Sequence, residues 1–307
     1  MKKLLKLKLV LIGAIPAVIF SGCFSTIKLE NFKHKTMQKS TYTPTKETLA
    51  TENKKVAIIK INDGEANLAK RLNLGKITSQ QLKSILSEIG KQSTIVNTAK
   101  SNINKEEFQY IISGKINDTT YEYKYLAPAP TLLITGKTIM APAKHQYKAC
   151  TNGIIEIENL SSFQVEKSIP FEKCKIDVEC AKKSVRRDNS TLIKESARDA
   201  IKSISVDLKN FFAHKGYILE QRINNDKKII VKTTLGINSG AKKGADVNFY
   251  TMNKSENTLI GKGKISNQIT NNSSWIIVKS LNNGVELKSG DFAKIRYEKG
   301  FYDSYIR

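Results

Sequence analysis

Histidines and paired carboxylates are the side chains that most often carry acid–base catalysis, and the sequence offers few of them. Of the three histidines, His34 lies in a polar N-terminal segment, His145 in a lysine-rich stretch and His214 at the predicted end of a helix. His145 has no acidic neighbour, so a Ser–His–Asp triad has nothing from which to start. Asp63 and Glu65 form a candidate carboxylate pair, but glycine follows the aspartate, and that dipeptide is typical of a turn. We therefore expect a protein without enzymatic activity, cofactor or bound metal.

Sequence strings that mark common catalytic and nucleotide-binding sites do not occur in the chain. There is no Gly-x-Ser-x-Gly, no His-Glu-x-x-His and no P-loop. Gly261 and Gly263 form a Gly-x-Gly pair, but they lie on a predicted strand with no helix after it. A phosphate site of that type uses the N-terminus of such a helix, so we expect no nucleotide ligand.

Cysteines are the remaining residues with distinctive chemistry, and three of the four lie well inside the chain. In an oxidising compartment two of these three, Cys150, Cys174 and Cys180, can form a disulfide, and one is left over. A Cys174–Cys180 bond would close a local loop, whereas a Cys150–Cys174 bond would tie two strands together; the sequence leaves the pairing open. The nearest histidine, His145, does not lie beside them, so we expect no zinc site.

The fourth cysteine, Cys23, follows a segment with the composition of a secretory signal peptide. Four lysines precede an apolar run over residues 9–20, and two small residues then lead directly into the cysteine. The run is shorter than the ~20 residues that a membrane-spanning helix needs. We therefore predict that residues 1–22 are a signal peptide that is removed on export.

Phe20-Ser21-Gly22-Cys23 resembles the lipobox of bacterial lipoproteins. The resemblance implies that Cys23 becomes the first residue of the mature protein and carries a thioether-linked diacylglycerol and an amide-linked acyl chain such as palmitate. Two such signals give stable membrane anchoring. Phe24, and not aspartate, follows the cysteine. By resemblance to the enterobacterial sorting rule, this implies an outer-membrane lipoprotein that faces the periplasm.

The whole chain is strongly basic. Its 307 residues include 51 Lys and Arg against 28 Asp and Glu, a formal net charge of +23, and its mean hydropathy of −0.35 suits a folded globular body. In a cytosolic protein this charge would indicate nucleic acid. For an exported protein we expect no nucleic-acid partner, and peptidoglycan or anionic lipid are the polyanions to consider. The lysines are scattered and form no block, so the base composition of an AT-rich genome is a competing explanation.

Shifts in composition divide the chain after the signal peptide. Residues 23–53 are rich in Ser, Thr, Lys and Asn without a sustained apolar period, which predicts a flexible, lipid-anchored tether. Residues 54–219 alternate strand-like and helix-like patterns, which predicts an α/β or α+β domain. Residues 220–307 contain short strands between Gly, Asn or Ser turns, which predicts a small all-β barrel.

Within residues 54–219, the apolar run from Lys55 to Asn62 predicts a strand covered on both faces. Thr78 and Gln81 have the spacing of a capping box, which would open a helix closed by Gly90. The other predicted elements are a strand at 93–97, a strand at 110–125 that ends in the alternating Tyr121, Tyr123 and Tyr125, a strand at 132–140, a hairpin with strands at 154–157 and 163–169, a charged loop at 172–190 and a helix at 190–213. The strands at 119–126 and 131–140 suit either a soluble hairpin or one that enters a membrane, with Leu132, Ile134 and Met140 on a shared face.

Two resemblances carry the family expectation. Val56-Ala57-Ile58-Ile59-Lys60-Ile61-Asn62 and Ile112-Ser113-Gly114-Lys115-Ile116, then the hairpin at 155–165 and the helix at 190–213, resemble the curli-secretion lipoprotein family (CsgG/HfaB) and the related amino-terminal fold of TolB. This resemblance implies the fold of residues 54–219 and a homo-oligomer with protein partners in an envelope complex.

The predicted barrel strands lie at 228–235, 246–250, 258–265, 275–279 and 292–297, with Trp275 as a core residue or a partner contact. The glycine-containing segments at 236–240, 243–250, 260–265 and 288–292 resemble the carboxy-terminal, SH3-like barrel of FlgT-type flagellar ring proteins.

Together the resemblances imply a non-enzymatic assembly or ring component of an envelope machine, either flagellar or secretion-related. Two alternatives stay open. One is an oligomeric CsgG-like secretion channel formed through residues 119–171, and the other is a lipoprotein activator of peptidoglycan synthesis, a class that the fold also resembles.

Overall fold

The computed structural model describes residues 26–39, 54–181, 189–253 and 256–298 of the chain. The predicted signal peptide and Cys23 lie outside the described residues. The strands and helices are, in chain order, β1 (Lys33–Lys35), β2 (Lys55–Ile59), α1 (Asn67–Leu72), α2 (Leu74–Glu88), β3 (Ser93–Val96), β4 (Phe108–Leu126), β5 (Ala129–Leu132), β6 (Thr138–Ala141), β7 (Lys144–Asn159), β8 (Gln164–Cys180), α3 (Ser190–Ser203), α4 (Ser205–Phe212), β9 (Lys215–Ile223), β10 (Ile229–Thr233), β11 (Asp246–Asn253), β12 (Glu256–Ile269), β13 (Ser274–Leu281) and β14 (Phe292–Ile295).

A five-stranded sheet with the order β3-β2-β4-β7-β8 forms the framework for α1 to α4. β2 pairs in parallel with β3 and β4, whereas the pairs β4–β7 and β7–β8 are antiparallel. Val56 and Ile58 of β2 pack into a core with the helices, and Ala57 packs on the opposite face with Phe108 and Leu160. Burial on both faces explains the continuous apolar run that predicts this strand.

The antiparallel strands of this sheet are much longer than the sequence patterns predict. β4, β7 and β8 contain 19, 16 and 17 residues. The predicted turn at 158–162 does join β7 to β8, but β8 continues to Cys180 in register with β7. The charged loop predicted from residue 172 is therefore wrong as far as residue 180.

Ion pairs explain how a charged segment is accommodated in a strand. Lys175 of β8 lies 3.1 Å from a carboxylate oxygen of Glu195 and 3.4 Å from one of Asp199, both on α3. The hydrogen bond to Glu195 contributes most to raising the pKa of Lys175 above its usual value. These pairs join β8 to the helix that covers it, a tertiary interaction that local charge patterns do not predict.

An irregularity in β4 changes which of its alternate residues face the helices. Its pairing with β7 shifts between Ile116 and Asp118, which marks a β-bulge. Before the bulge, Ile112 and Ile116 belong to the core under the helices, and after it Tyr121 packs against that same core. The bulge therefore keeps the alternating tyrosines on the helix-covered side of the sheet.

The segment predicted as one strand at 132–140 is a hairpin. β5 pairs with β6 in a two-stranded sheet, and the turn between them contains Gly136 with φ of 79°. Glycine adopts this left-handed conformation without the steric cost that a side chain would bring. The alternation of Leu132 and Ile134 suggests a continuing strand, but the chain reverses directly after them.

α2 begins one turn before the capping box predicted at Thr78, so that prediction is wrong. The hydroxyls of Thr78 and Ser79 lie inside the helix and donate to the carbonyl oxygens of Leu74 and Gly75. The first turn is capped from a distance, because Asp63 Oδ1 accepts a hydrogen bond from the Gly75 N–H at 2.6 Å. The apolar face predicted for this helix is buried: Leu82, Ile85, Leu86 and Ile89.

The long helix predicted at 190–213 is present as two helices, α3 and α4. They meet at Ile204, where φ is −100° and ψ is 8°. The apolar stripe continues across the break, so both helices cover the same sheet. Its buried members are Ile193, Ala197, Ala200, Ile201, Ile204 and Leu208.

The second half of the chain forms a closed barrel. A seven-stranded sheet has the order β1-β9-β10-β13-β12-β11-β14, and a further pairing of β9 with β14 closes strands β9 to β14 into the barrel. All but one of the barrel strands match a predicted strand. The exception is β9, which begins at Lys215, before the boundary predicted at residue 220. The protein is thus a mixed α+β structure with a closed barrel.

Residues 26–39 pack against the barrel, so the flexible tether predicted there is wrong for this segment. β1 pairs with residues 221–223 of β9, a part of that strand that β14 does not cover. Ile27 is buried against Trp275, and its N–H donates to Asn267 Oδ1 at 2.7 Å. An unpaired strand edge and an apolar contact hold the segment in place.

One tyrosine connects the core under the helices with the core of the barrel. Tyr297 packs against both. Its N–H donates to Asn210 Oδ1, and its carbonyl oxygen accepts from Asn210 Nδ2, both at 2.9 Å. Burial raises the pKa of Tyr297 to about 12. The paired contact holds α4 on the barrel.

We predict that Asp63→Ala lowers the free energy of unfolding by about 1 kcal/mol, because the Gly75 amide loses its acceptor. Asp63→Asn is the matched control, since it keeps an oxygen at the same place and should lose less. Urea unfolding followed by circular dichroism measures both variants. Equal losses in the two would contradict the capping role of the carboxylate.

Candidate functional site

The three histidines lie on different elements. His34 is in β1, His145 is in β7, and His214 lies between α4 and β9. Across the described ranges, no group of three His, Cys, Asp or Glu side chains is arranged as metal ligands would be. None of the helices that the structure describes is both long enough and apolar enough to cross a membrane.

The candidate carboxylate pair is divided between two structural contacts. Asp63 accepts the Gly75 N–H at the start of α2. Glu65 is exposed, and its carboxylate lies 3.6 Å from the ammonium group of Lys70 on α1. The two side chains therefore stabilise the turn and the helices after it.

Close strand packing accounts for the Gly-x-Gly pair. A Cβ at Gly261 would lie 2.5 Å from the carbonyl oxygen of Ser280, and one at Gly263 would lie 2.8 Å from that of Ile277. Both contacts are to β13, which pairs with β12 in the barrel wall. The glycines thus permit close approach of two strands.

The most distinctive surface is the distal part of the long hairpin, which we call the arm (residues 119–151 with 174–180). A buried His145 stands on its inner face, and Tyr123 Oη lies 3.0 Å from His145 Nδ1. The ring centroids of Tyr123 and Tyr125 lie 5.7 and 5.9 Å from that of the imidazole. These aromatic contacts extend the core under the helices into the arm, beyond the aliphatic side chains of that core.

A disulfide crosses the arm. Cys150 of β7 and Cys174 of β8 are opposite each other in the strand register, and their sulfurs are bonded. This confirms the disulfide and selects the cross-strand pairing from those that the sequence leaves open. Cys180, at the end of β8, is an exposed free thiol.

A cleft of about 570 Å³ lies where α4 meets the barrel, lined by aromatic and cationic side chains. Lys294 Nζ donates to the carbonyl oxygen of Phe211 at 3.4 Å. Lys215 Nζ lies 5.3 Å from the ring centroid of Phe292. The first of these contacts joins α4 to the barrel, and the second lies within the barrel wall.

Residues 127–143, which we call the tip, end the arm. Every residue from 127 to 140 is exposed. Five large apolar side chains of this segment are exposed to solvent. They are Leu132 (71% exposed), Leu133 (40%), Ile134 (108%), Ile139 (47%) and Met140 (63%).

Sequence patterns identify only part of this surface. They locate the alternating tyrosines and the apolar Leu132, Ile134 and Met140, but they pair residues 119–126 with 131–140. In the structure β4 pairs with β7, and β5 pairs with β6. Leu133 and Ile139 are missed, because a single continuous strand over 132–140 would place them on the face opposite Leu132, Ile134 and Met140.

The sequence matches no protein-family model and no curated protein sequence. Several solved structures are similar at low scores. The PelC dodecamer from Paraburkholderia phytofirmans is 14% identical over 57% of this chain and 96% of that chain, with a TM-score of 0.27. A minor lipoprotein from Acinetobacter baumannii is 14% identical over 50% of this chain and 92% of that chain, with a TM-score of 0.24. Rare lipoprotein B from Shewanella oneidensis is 11% identical over 48% of this chain and 89% of that chain, with a TM-score of 0.25. Likeness at this level supports no conclusion about the activity or partners of this chain.

We predict that loss of the Cys150–Cys174 bond lowers the free energy of unfolding by about 3 kcal/mol, because the bond restricts the unfolded chain between residues 24 positions apart. The double variant Cys150→Ala with Cys174→Ala should show this loss in urea unfolding. Cys180→Ala is the matched control and should unfold like the parent. Loss of stability in the control but not in the double variant would contradict the pairing.

Proposed function

We propose that this protein is a lipid-anchored, non-enzymatic assembly component of the bacterial envelope. It is held in the outer membrane by acylated Cys23 and faces the periplasm. It forms a homo-oligomeric ring within a flagellar or secretion-related machine. The lipobox-like sequence and the two family resemblances support this proposal, together with an open strand edge on the folded body.

The open edge of β8 is the observation that carries the assembly role. β8 is the last strand of the first sheet and contains 17 residues, and no other described strand pairs with its outer edge. Unpaired N–H and C=O groups along such an edge bind a strand of another chain. Ile176 and Val178 on the same strand are 55% and 46% exposed. A neighbouring copy would bury these side chains while it extends the sheet.

The contacts of the candidate chemical residues agree with a role that needs no catalysis. His145 is part of the aromatic packing of the arm. Asp63 caps a helix, and Cys150 and Cys174 hold two strands together. Each of these side chains has a structural contact that accounts for its position.

The anchor is tested by labelling with radioactive palmitate in cells. We expect the parent chain and Cys180→Ser to incorporate the label and Cys23→Ser to remain unlabelled and to leave the outer-membrane fraction. Cys180→Ser is the matched control because Cys180 is the other cysteine outside the disulfide. Label in Cys23→Ser, or none in the parent, would remove the anchor from the proposal.

The ring is tested by the mass of the protein in mild detergent. We expect size-exclusion chromatography with light scattering to give a multiple of the chain mass, because copies meet along β8. Ile176→Lys with Val178→Lys should shift the protein towards the monomer, whereas Leu219→Lys, at an exposed barrel position, should not. A monomeric parent chain would exclude both the ring and the alternative secretion channel.

A further inference from the structure

The tip exposes apolar side chains on both faces of an isolated strand pair. Leu132 and Met140 lie on one face of the β5–β6 pair, Leu133 and Ile139 lie on the other, and Ile134 occupies the turn. β5 and β6 form a sheet of two strands, and no third strand lies beside them in the part of the chain that the structure describes. Two strands alone are marginally stable in water, so a surface of this kind indicates a partner.

The two-sided exposure distinguishes among partners. A protein surface that packs on one face of a strand pair leaves the opposite face in water. Acyl chains surround an inserted hairpin and contact both faces at once. Because Leu132 is 71% exposed on one face and Ile139 is 47% exposed on the other, the arrangement favours lipid.

The length of the hairpin limits how deep it can reach. β5 and β6 contain four residues each. At ~3.3 Å per residue, each is about 13 Å long, against ~30 Å for the hydrocarbon layer of a bilayer. The tip can therefore enter one leaflet without spanning the membrane.

The residues just below the tip suit the headgroup region. Tyr123 and Tyr125 are 44% and 53% exposed, and tyrosine is enriched at membrane–water interfaces. Residues 121–148 contain four lysines and one glutamate, and no acidic residue occurs between Leu126 and Lys144. Lysines at this level attract anionic headgroups. The acidic Asp177 and Glu179 of β8 pair with Tyr147 and His145, so they lie at the level of Tyr123 and Tyr125. The part of the arm without acidic side chains is therefore the tip, where Lys137 lies.

We propose that the tip is a membrane-contact site that inserts, without spanning, into bilayers containing anionic phospholipid. Leu132, Ile134 and Met140 enter the acyl region, and the exposed tyrosines and lysines remain at headgroup level. This contact uses residues other than Cys23 and the β8 edge. It lies at the far end of β4, whose 19 residues extend about 60 Å at ~3.3 Å per residue.

Tryptophan fluorescence tests the proposal in the full chain. Ile134→Trp places a reporter at the tip, and Ile237→Trp is the matched control at a barrel position that is 57% exposed. The native Trp275 is 7% exposed and lies under Arg222, so it supplies a constant background in both variants. The vesicles contain phosphatidylcholine and phosphatidylglycerol, with or without acyl-chain-brominated phosphatidylcholine.

We expect brominated lipid to quench about half of the added emission of Ile134→Trp and to leave Ile237→Trp unchanged, because only the tip reaches the acyl chains. Equal quenching at both positions, or none at either, would overturn the proposal. A blue shift of Ile134→Trp that is already present without vesicles would place protein over the tip and would also overturn it. Quenching of the same size in pure phosphatidylcholine would overturn the preference for anionic lipid.

The same measurement on chains that also carry Cys23→Ser separates this inference from the proposed anchor. Retained quenching of Ile134→Trp in that background supports the tip contact whether or not Cys23 is acylated. Quenching that disappears with Cys23→Ser would show that the acyl chain alone brings the protein to the bilayer, and it would overturn an independent site at the tip.

Discussion

The register among β4, β7 and β8 decides which side chains of the arm face the helices and which face outward. Because side chains alternate between the two faces, a shift of one residue would exchange the two sets. Ile155 and Ile157 are fully buried under the helices, so the register at the base is determined by the core. Further out, the Cys150–Cys174 bond joins β7 to β8 directly. The bulge after Ile116 then directs the tyrosines to the inner face.

Burial decreases steadily from the base of the arm to its tip. Ile112 and Ile155, at the base, are fully buried, and His145 is buried beside the half-exposed rings of Tyr123 and Tyr125. Ile134, at the tip, is fully exposed. The free energy that orders the tip therefore comes from the core at the base, because the tip has no core of its own. The arm holds apolar side chains away from the body, where they can contact a surface that the body does not touch.

The docked N-terminal segment changes how a lipid anchor would act. Ile27 is fixed against the barrel, only a few residues after Cys23. With the proposed anchor at Cys23, the barrel would stay close to the membrane, and no long tether would separate them. The arm, whose part of β4 (residues 119–126) is about 26 Å long at ~3.3 Å per residue, then starts from a body held near that membrane. Contact at the tip would require the arm to lie along the same bilayer or to reach a second surface.

The periodic burial of side chains allows much of the fold to be predicted from the sequence. The run at β2, the apolar faces of α2 and of α3 with α4, and nearly all barrel strands follow from one rule: a residue that faces a core is apolar, and the geometry of its element sets the spacing. The same rule locates the tyrosines and the apolar Leu132, Ile134 and Met140 of the arm. It fails where the chain reverses, because Gly136 interrupts a pattern that otherwise resembles a continuing strand.

The remaining features depend on groups that are distant along the chain. Lys175 stabilises a charged strand through α3, and Asp63 caps α2 through the N–H of Gly75, twelve residues later. β9 pairs with β1, which lies before the whole of the first sheet in the chain. The choice of Cys174 as the partner of Cys150 likewise follows from strand register. The sequence by itself determined which segments must be buried and which must form turns, because both requirements act on residues that are neighbours along the chain. Only the tertiary structure decided what each segment meets, because long-range pairing depends on which distant surfaces the folded chain brings together.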